Sequence, residues 1–301
     1  MKKNFLILGA SGMLGIELVK EFSKKKNISL YVTIRNVKDK KLITKYLGRN
    51  PKNIRWIKFE IKNQYFNKLK RITKNKDYII NCIGVIKPHI DESNILSVHN
   101  AINTNSIFPN QLNIASSANS QIFQIATDCV FDGSKGAYDE NSLHTAKDLY
   151  GKSKSLGEVK SNNFFNIRCS IVGREIKNYK SLLCWFLNQK KNSTVVGFKN
   201  HLWSGVTTTF FAQVISTIIF KKIKIPNIVH IIPNKPVNKY QLLKFFQKKF
   251  NRQDLTINKV KSKITINRTL STVYRNLNKK INLKMGKKNI PTIEKMIQEI
   301  Y

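Results

Sequence analysis

The sequence predicts an α/β fold of the doubly wound, parallel-sheet (Rossmann) type carrying a smaller C-terminal lobe, and three observations predict it. The apolar run Phe5-Leu-Ile-Leu8 leads into Gly9, Gly12 and Gly15, and then into an amphipathic segment. Short β-branched apolar segments alternate with helical ones as far as about residue 174, the pattern of βαβ units. Segments such as Tyr78-Ile-Ile-Asn-Cys-Ile-Gly84 are almost continuously apolar, which suits strands covered on both faces.

The first strand and the glycine turn come together. A glycine turn between a strand and a helix lets backbone N–H groups approach a pyrophosphate without Cβ obstruction, so the chain is expected to hold a dinucleotide there. Met13, Leu14, Ile16, Leu18, Val19 and Phe22 fall at helical spacing and form the first helix. The β-branched run Ile28 to Ile34 is the second strand. Strands follow at Ile54 to Phe59, Tyr78 to Ile83, Gln121 to Ala126 and Phe165 to Val172, with helical stretches at Asp91 to Ser117 and Ala146 to Lys160. Past residue 174 the alternation weakens. Leu182 to Gln189, Thr208 to Phe220 and Asn238 to Phe250 read as helices and Asn227 to Ile232 as a strand. The expected division is therefore a core over 1–174 and a substrate-facing lobe over 175–301, which does not fold alone and from which segments return to the core.

The chain has 301 residues, and 54 Lys and Arg face 17 Asp and Glu, a net charge of +37. Such a charge suggests a polyanionic partner. The lysines are spread along helices and loops, however, with no basic arm and no Arg-rich recognition segment. A solvated basic surface without specific nucleic-acid binding is the expectation. No apolar run approaches the ~20 residues that span a bilayer, and the first residues run straight into the first strand. A cytoplasmic protein without membrane attachment is expected. Cys82, Cys129, Cys169 and Cys184 lie in apolar contexts without metal-ligand spacing, which predicts buried free thiols and no metal-binding residues.

Chemistry concentrates in Asp148-Leu-Tyr150-Gly-Lys-Ser-Lys154. Tyr150 and Lys154 are one helical turn apart on one face, where an ammonium favours an ionised phenol and equips it to exchange a proton with a substrate oxygen. Such pairs are frequent on surface helices, and context singles this one out. The segment Ile125-Ala-Thr127-Asp-Cys-Val-Phe-Asp-Gly133 brings Thr127 to the carboxyl edge of the sheet, where open α/β folds bind ligands. At the end of the second strand, Tyr31-Val-Thr-Ile-Arg35-Asn36 offers Arg35 and no carboxylate, the chemistry of a 2′-phosphate and so of NADPH in preference to NADH.

The glycine turn, Thr127, Tyr150 and Lys154, in that order, resemble the extended short-chain dehydrogenase/reductases. Within them, Ala126-Thr-Asp-Cys-Val-Phe-Asp-Gly133, Gly136-Ala-Tyr-Asp-Glu140 and Leu149-Tyr-Gly-Lys-Ser-Lys-Ser-Leu-Gly-Glu158 resemble the dTDP-4-dehydrorhamnose reductase family, along most of the chain. The resemblance implies NADPH-dependent reduction of a nucleotide-activated 4-keto-6-deoxy sugar for cell-surface polysaccharide precursors. Thr127, Tyr150 and Lys154 would be catalytic. Gly9, Ser11, Gly12, Met13, Leu14, Gly15, Arg35, Glu60, Ile61, Cys82, Ile83, Gly84 and Asn105 would hold the cofactor together with Tyr150 and Lys154. Asp128, Cys129, Val130, Phe131, Asn200, His201 and Trp203 would meet the nucleotide-sugar substrate. The family also allows Mg²⁺ and a homodimer.

Two departures bear on the sugar: Cys129 stands where relatives commonly carry Tyr, and Asn200 to Thr208 differs from their substrate loop. Glu60 also reads as a plain strand-end carboxylate, Trp203 as a packing anchor and His230 as structural. Arg168 reads as a partner for a phosphate or a buried carboxylate. Alternative functions on this fold are a nucleotide-sugar epimerase and a non-catalytic subunit like the regulatory subunit of methionine adenosyltransferase. A dehydratase is disfavoured, because Cys129 follows Thr127-Asp128 where dehydratases carry Asp-Glu.

Overall fold

The computed structural model describes residues 2–49, 51–62 and 64–300. In chain order the first elements are β1 (Lys3–Leu8), α1 (Met13–Phe22), β2 (Ile28–Ile34), α2 (Val37–Leu47), β3 (Ile54–Lys58), α3 (Phe66–Thr73) and β4 (Tyr78–Asn81). Next come α4 (Ile95–Ile102), a π-helical turn over Asn103–Ile107, α5 (Phe108–Ala115), β5 (Gln121–Thr127), α6 (Leu149–Leu156) and β6 (Phe164–Cys169). The remainder holds β7 (Ile171–Val172), α7 (Leu182–Leu187), β8 (Thr194–Phe198), β9 (His201–Trp203), β10 (Val206–Thr207), α8 (Thr208–Phe220) and β11 (Ile228–His230). It closes with β12 (Val237–Asn238), α9 (Lys239–Lys249), β13 (Thr256–Val260), β14 (Ile266–Asn267), α10 (Arg275–Lys284) and α11 (Ile293–Gln298).

Seven strands form one sheet in the order β11-β6-β5-β4-β1-β2-β3, and the pairs β3·β2, β2·β1, β1·β4 and β4·β5 are parallel. The direction of winding reverses between β1 and β4, the switch point at which such sheets open a crevice beyond their carboxyl ends. On one face of the sheet, Leu6, Leu8, Ile79 and Ile122 pack with Leu69, Phe108, Leu112 and Phe164 in a buried core. Helices α2 and α3 are additions to the sequence reading. The first is delimited by its ends: Asn36 caps it by accepting the Asp39 N–H, and Gly48 closes it at φ 64°, the left-handed conformation that glycine adopts freely.

The predicted helix over 146–160 is shorter, with a physical cause at each end. Asp148 accepts the Gly151 N–H as N-cap, and at Gly157 a Cβ would lie 1.9 Å from the Asn105 carbonyl oxygen. The predicted strand over 165–172 breaks at Ser170, and β7 pairs with β10 in a separate two-stranded sheet.

Two compact units make up the chain. The first holds residues up to Val130 together with Ala146–Ile167 and Ile225–Val229; the second holds Phe131–Thr145, Arg168–Lys224 and the chain from His230 on. Sequence reading placed one boundary after 174. The structure instead gives 131–145 to the second unit, because Tyr138 pairs with Leu270 and Gly133 and Gly136 lie against Arg268 and Asn267 too closely for a Cβ. Residues 225–229 return to the first unit as the start of the edge strand β11. The second unit buries Phe186 against Phe246, along with Phe210, Phe211, Ile215, Ile281 and Met296.

Candidate active site

The glycine turn is built by exclusion. Gly9 has φ +78°, and a Cβ on it would lie 3.0–3.2 Å from Ile83 and the Cys82 carbonyl carbon. A Cβ on Gly15 would lie 2.2 Å from the Gly9 carbonyl oxygen, so α1 can start this close to the turn only with glycine there. Thr33 anchors the loop from β2: its hydroxyl accepts the Gly9 N–H (2.9 Å) and its carbonyl accepts the Ala10 N–H (3.2 Å). Gly12 caps α1 with no side chain, and its own Cβ position meets only the Gly9 oxygen at an ordinary 3.4 Å. The first turn of α1 carries no acidic residue, so its N–H groups and dipole suit an anion. The turn is this tight because Gly9 and Gly15 carry no Cβ, and the open space beside Gly12 at the helix N-terminus fits a dinucleotide pyrophosphate.

At the ends of β4 and β5 two amides fix the backbone. Buried Asn81 donates to Gln124 Oε1 (2.7 Å) and accepts the Ile83 N–H (3.0 Å). From the π-helical turn, buried Asn105 donates to the Val85 carbonyl (2.9 Å) and to Ser153 Oγ (3.1 Å) and accepts the Val85 N–H (2.9 Å). Asn105 thereby ties the Gly84 loop to α6, and its amide is committed to protein partners. Ser153 was not singled out from sequence; no spacing marks a serine that serves an amide 48 residues away.

Lys154 is buried, and its Nζ donates to the Ile125 carbonyl (2.7 Å). A Cβ on Gly84 would lie 3.9 Å from that Nζ. Its ammonium therefore stands at the carboxyl ends of both β4 and β5. Burial pushes the Cys82 thiol well above its usual range and the nearby Lys154 charge pulls the other way, so Cys82 stays protonated and chemically quiet. Half-buried Tyr150 lies one turn before Lys154 on α6, where a Cβ on Gly151 would meet the Cys129 carbonyl oxygen at 2.3 Å. That contact seats the start of the helix on the loop after β5. Thr127 ends β5 nearly buried; its hydroxyl accepts the Cys129 N–H (3.2 Å) and donates to Asp128 Oδ1 (3.3 Å).

Arg35 is exposed directly after β2, and its N–H is held by Asp39 Oδ2 at 3.1 Å. Asp39 was overlooked in the sequence, although Asn36-x-x-Asp39 has the spacing of a helix cap. Glu60 is exposed and pairs with Lys62 at 3.0 Å, as a strand-end carboxylate does, and Ile61 packs at the edge of the core. Cys169 and Cys184 are buried, whereas Cys82 and Cys129 are partly accessible, because the latter two sit at strand ends facing the loops.

Asp128, Cys129 and Val130 belong to the first unit; Phe131, Asn200, His201 and Trp203 belong to the second. There, Asn200 is clipped to the Ser262–Thr265 segment by hydrogen bonds in both directions, His201 lies against Phe198, and the Trp203 indole donates to Ser170 Oγ (2.7 Å). Arg168, for which a phosphate or a carboxylate was expected, hydrogen-bonds His230 Nε2 (3.2 Å) and His144 Nε2 (2.6 Å). A guanidinium only donates, so both Nε2 atoms accept. His230 then donates from Nδ1 to the Ser271 carbonyl (2.8 Å), a structural role as expected. Among the described residues no group of three or more His, Cys, Asp or Glu is placed to hold a metal, and no helix is long and apolar enough to cross a membrane.

Sheet order, glycine turn and the Tyr150/Lys154 helix are those of an extended short-chain dehydrogenase/reductase. The family model described as the RmlD substrate binding domain matches residues 2–300, and the chain belongs to that family. No curated protein matches it. Among solved structures it is similar to a dTDP-4-dehydrorhamnose reductase from Bacillus anthracis in complex with NADP (19% identity, all of this chain and 99% of that one, TM-score 0.74). It is similar also to a hypothetical dTDP-4-dehydrorhamnose reductase from Sulfolobus tokodaii (25% identity, 89% and 91%, TM-score 0.67). A UDP-glucuronic acid 4-epimerase from Bacillus cereus in complex with NAD has a like fold (15% identity, 98% and 94%, TM-score 0.73).

Proposed function

We propose that the protein is an NADPH-dependent reductase of a nucleotide-activated 4-keto-6-deoxy sugar. The observation that carries this reading is the Lys154 ammonium, held on the Ile125 carbonyl beside Gly84 and one helical turn from Tyr150. A buried cation at the carboxyl edge of the sheet, next to a phenol and downstream of a glycine cradle, is the equipment of carbonyl reduction. Family membership supports the same chemistry, and exposed Arg35 favours a cofactor with a 2′-phosphate.

When bound, the nicotinamide supplies hydride to the ketone carbon. Tyr150 gives its phenolic proton to the carbonyl oxygen as charge develops there. Lys154 holds a positive charge next to the phenol, which stabilises the phenolate left behind. The Thr127 hydroxyl exchanges its long bond to Asp128 for one to the same substrate oxygen. Asn105 and Asn81 contribute position only, keeping the Gly84 loop and α6 in register.

NADPH oxidation, followed at the nicotinamide absorbance with dTDP-, UDP- and GDP-4-keto-6-deoxy sugars generated in situ, tests the reading. Turnover with one donor is the expected result. Silence across the panel, with NADPH binding confirmed, defeats it. The likeness to a 4-epimerase bound to NAD favours a second reading, on which the purified protein carries tightly held NAD and interconverts nucleotide sugars without net oxidation of added NADPH.

A further inference from the structure

On a chain with 54 cations and 17 carboxylates, mutual repulsion favours cations that reach apart into water. Three side chains of the first unit do the opposite. Tyr31 of β2 and Arg55 of β3 are register partners in the parallel sheet, so they share a face. Arg55 Nη1 donates to the Tyr31 phenolic oxygen at 2.9 Å, and its guanidinium carbon lies 5.3 Å from the ring centroid. Lys76, in the turn between α3 and β4, brings its Nζ to 4.1 Å from the same centroid and donates from it to the Lys74 carbonyl (2.9 Å). Two cations thus converge on one phenol, and among the described residues no carboxylate pairs with either. Asp77, next in the chain, is taken by Lys3 Nζ (2.7 Å) and the Asn4 N–H (2.8 Å). Burial, and then the Arg55 charge, push the Lys76 ammonium below the usual lysine range. Tyr31 packs against the buried core, which fixes the phenol. Its oxygen accepts from Arg55, while its own O–H has no acceptor among the described residues.

We propose that Tyr31, Arg55 and Lys76 form a binding site for a phosphate dianion, free or as the terminal monoester of a small metabolite. The guanidinium offers N–H donors in a fork that matches two phosphate oxygens, the ammonium adds a point charge, and the phenol adds an O–H donor. Two positive charges balance a dianion, and its arrival removes the repulsion between them; a carboxylate or a chloride balances only one. A nucleic-acid strand matches less well. Each phosphodiester carries a single charge, and a base would have to displace the cations from the ring to stack on it. The site is separate from the glycine turn. Tyr31 lies four residues before Arg35, about 13 Å back along β2, and Lys76 precedes the start of β4. The cluster therefore sits towards the amino edge of the sheet, whereas the turn sits at the carboxyl edge.

The test reads the Tyr31 ring directly. In the full chain labelled at its tyrosines, the Tyr31 Cζ carbon resonance is assigned by its loss in Tyr31→Phe. Inorganic phosphate, glycerol 3-phosphate and dimethyl phosphate are then titrated at fixed ionic strength and pH 8, where the first two are dianions and the third is not. The resonance is expected to shift saturably with inorganic phosphate or glycerol 3-phosphate, the tighter of the two naming the source, and to ignore dimethyl phosphate. Arg55→Gln and Lys76→Gln should each weaken that binding about 10-fold or more, the ordinary worth of a charged hydrogen bond. Lys26→Gln, which removes an exposed cation elsewhere on the amino edge, and Arg35→Gln, at the carboxyl edge, should leave it unchanged. A resonance that ignores both dianions overturns the proposal. So does a shift that survives Arg55→Gln and Lys76→Gln undiminished, an equal response to dimethyl phosphate, or a response to a single-stranded oligonucleotide alone.

Discussion

At the scale of single residues, the site divides into groups that can move a proton and groups that hold them still. Tyr150 and Lys154 are of the first kind on the proposed function, while Asn81, Asn105 and Ser153 spend their polar atoms on backbone, on Gln124 and on one another. Removing the phenolic oxygen therefore separates the roles. Tyr150→Phe is expected to leave NADPH affinity nearly unchanged, because the ring and the Lys154–Ile125 bond remain, and to lower kcat by about 10²–10⁴-fold or more, the ordinary contribution of a positioned general acid. Fluorescence titration of NADPH beside steady-state turnover checks both halves, and a variant with near-normal turnover would remove Tyr150 from the chemistry. What was legible at this scale follows from spacing: Tyr150 and Lys154 four apart on a helix, and Thr127 at a strand end, are local patterns. Asn105 and Ser153 meet only after the chain folds, and the Arg168–His144–His230 contacts join residues 24 and 62 positions apart, so no local pattern shows them.

At the scale of elements, the glycine turn makes a contrast that the sequence alone leaves hidden, since Gly9, Gly12 and Gly15 look alike there. Gly15→Ala drives a methyl to 2.2 Å from the Gly9 oxygen, while Gly12→Ala meets nothing closer than 3.4 Å. G15A should lose roughly 1–3 kcal/mol of stability by overpacking, and G12A should keep its melting temperature yet bind NADPH more weakly, because its methyl intrudes on the anion cradle. Thermal melts and binding isotherms of the two variants check the pair; equal behaviour would refute the cradle. The turn after Val130 makes a prediction for pH. The Asp132 carboxylate accepts the Ser134 N–H and hydroxyl and the Tyr138 hydroxyl, chiefly the first of which holds it well below the usual carboxylate range. Its folded pKa is depressed, so its stabilisation is complete above the unfolded value of about 4 and is lost as the pH falls below that. The melting temperature of the wild type should exceed that of Asp132→Asn at pH 6, with the gap starting to narrow as the pH falls below about 4; a gap that widens on acidification would contradict the sign. Strand order through β6 was readable because each strand is a short apolar run bounded by glycine or polar residues, whereas α2 and α3 between β2 and β4 were not read. The second unit was read less completely, since β7, β10, β12 and β14 are only two residues long and are defined by their partners in space, which periodicity does not report.

At the scale of the whole molecule, charge is the dominant peculiarity. With 17 carboxylates against 54 cations, even complete pairing would neutralise fewer than a third of the Lys and Arg side chains. The pairs present, such as Lys3–Asp77 and Lys248–Glu294, are largely exposed, and exposed pairs are worth at most about 1 kcal/mol each. Salt acts on both terms, weakening these few attractions and the far more numerous repulsions, and the balance of numbers says which change wins. The screening length shrinks from about 30 Å at 0.01 M to about 3 Å at 1 M, so charges on separate elements stop sensing one another while the hydrophobic cores are untouched. The melting temperature should therefore rise steadily with sodium chloride, and Lys→Gln substitutions on exposed helices away from α6 should flatten that rise. A melting temperature that falls with salt would mean that specific ion pairs, and not burial, hold the protein together. The same balance predicts binding to duplex DNA at low salt that is steeply salt-dependent and indifferent to sequence. Binding that survives at about 0.2 M salt with a sequence preference would show that the basic surface has a nucleic-acid partner after all, because nonspecific binding through several phosphate contacts weakens by orders of magnitude over that range.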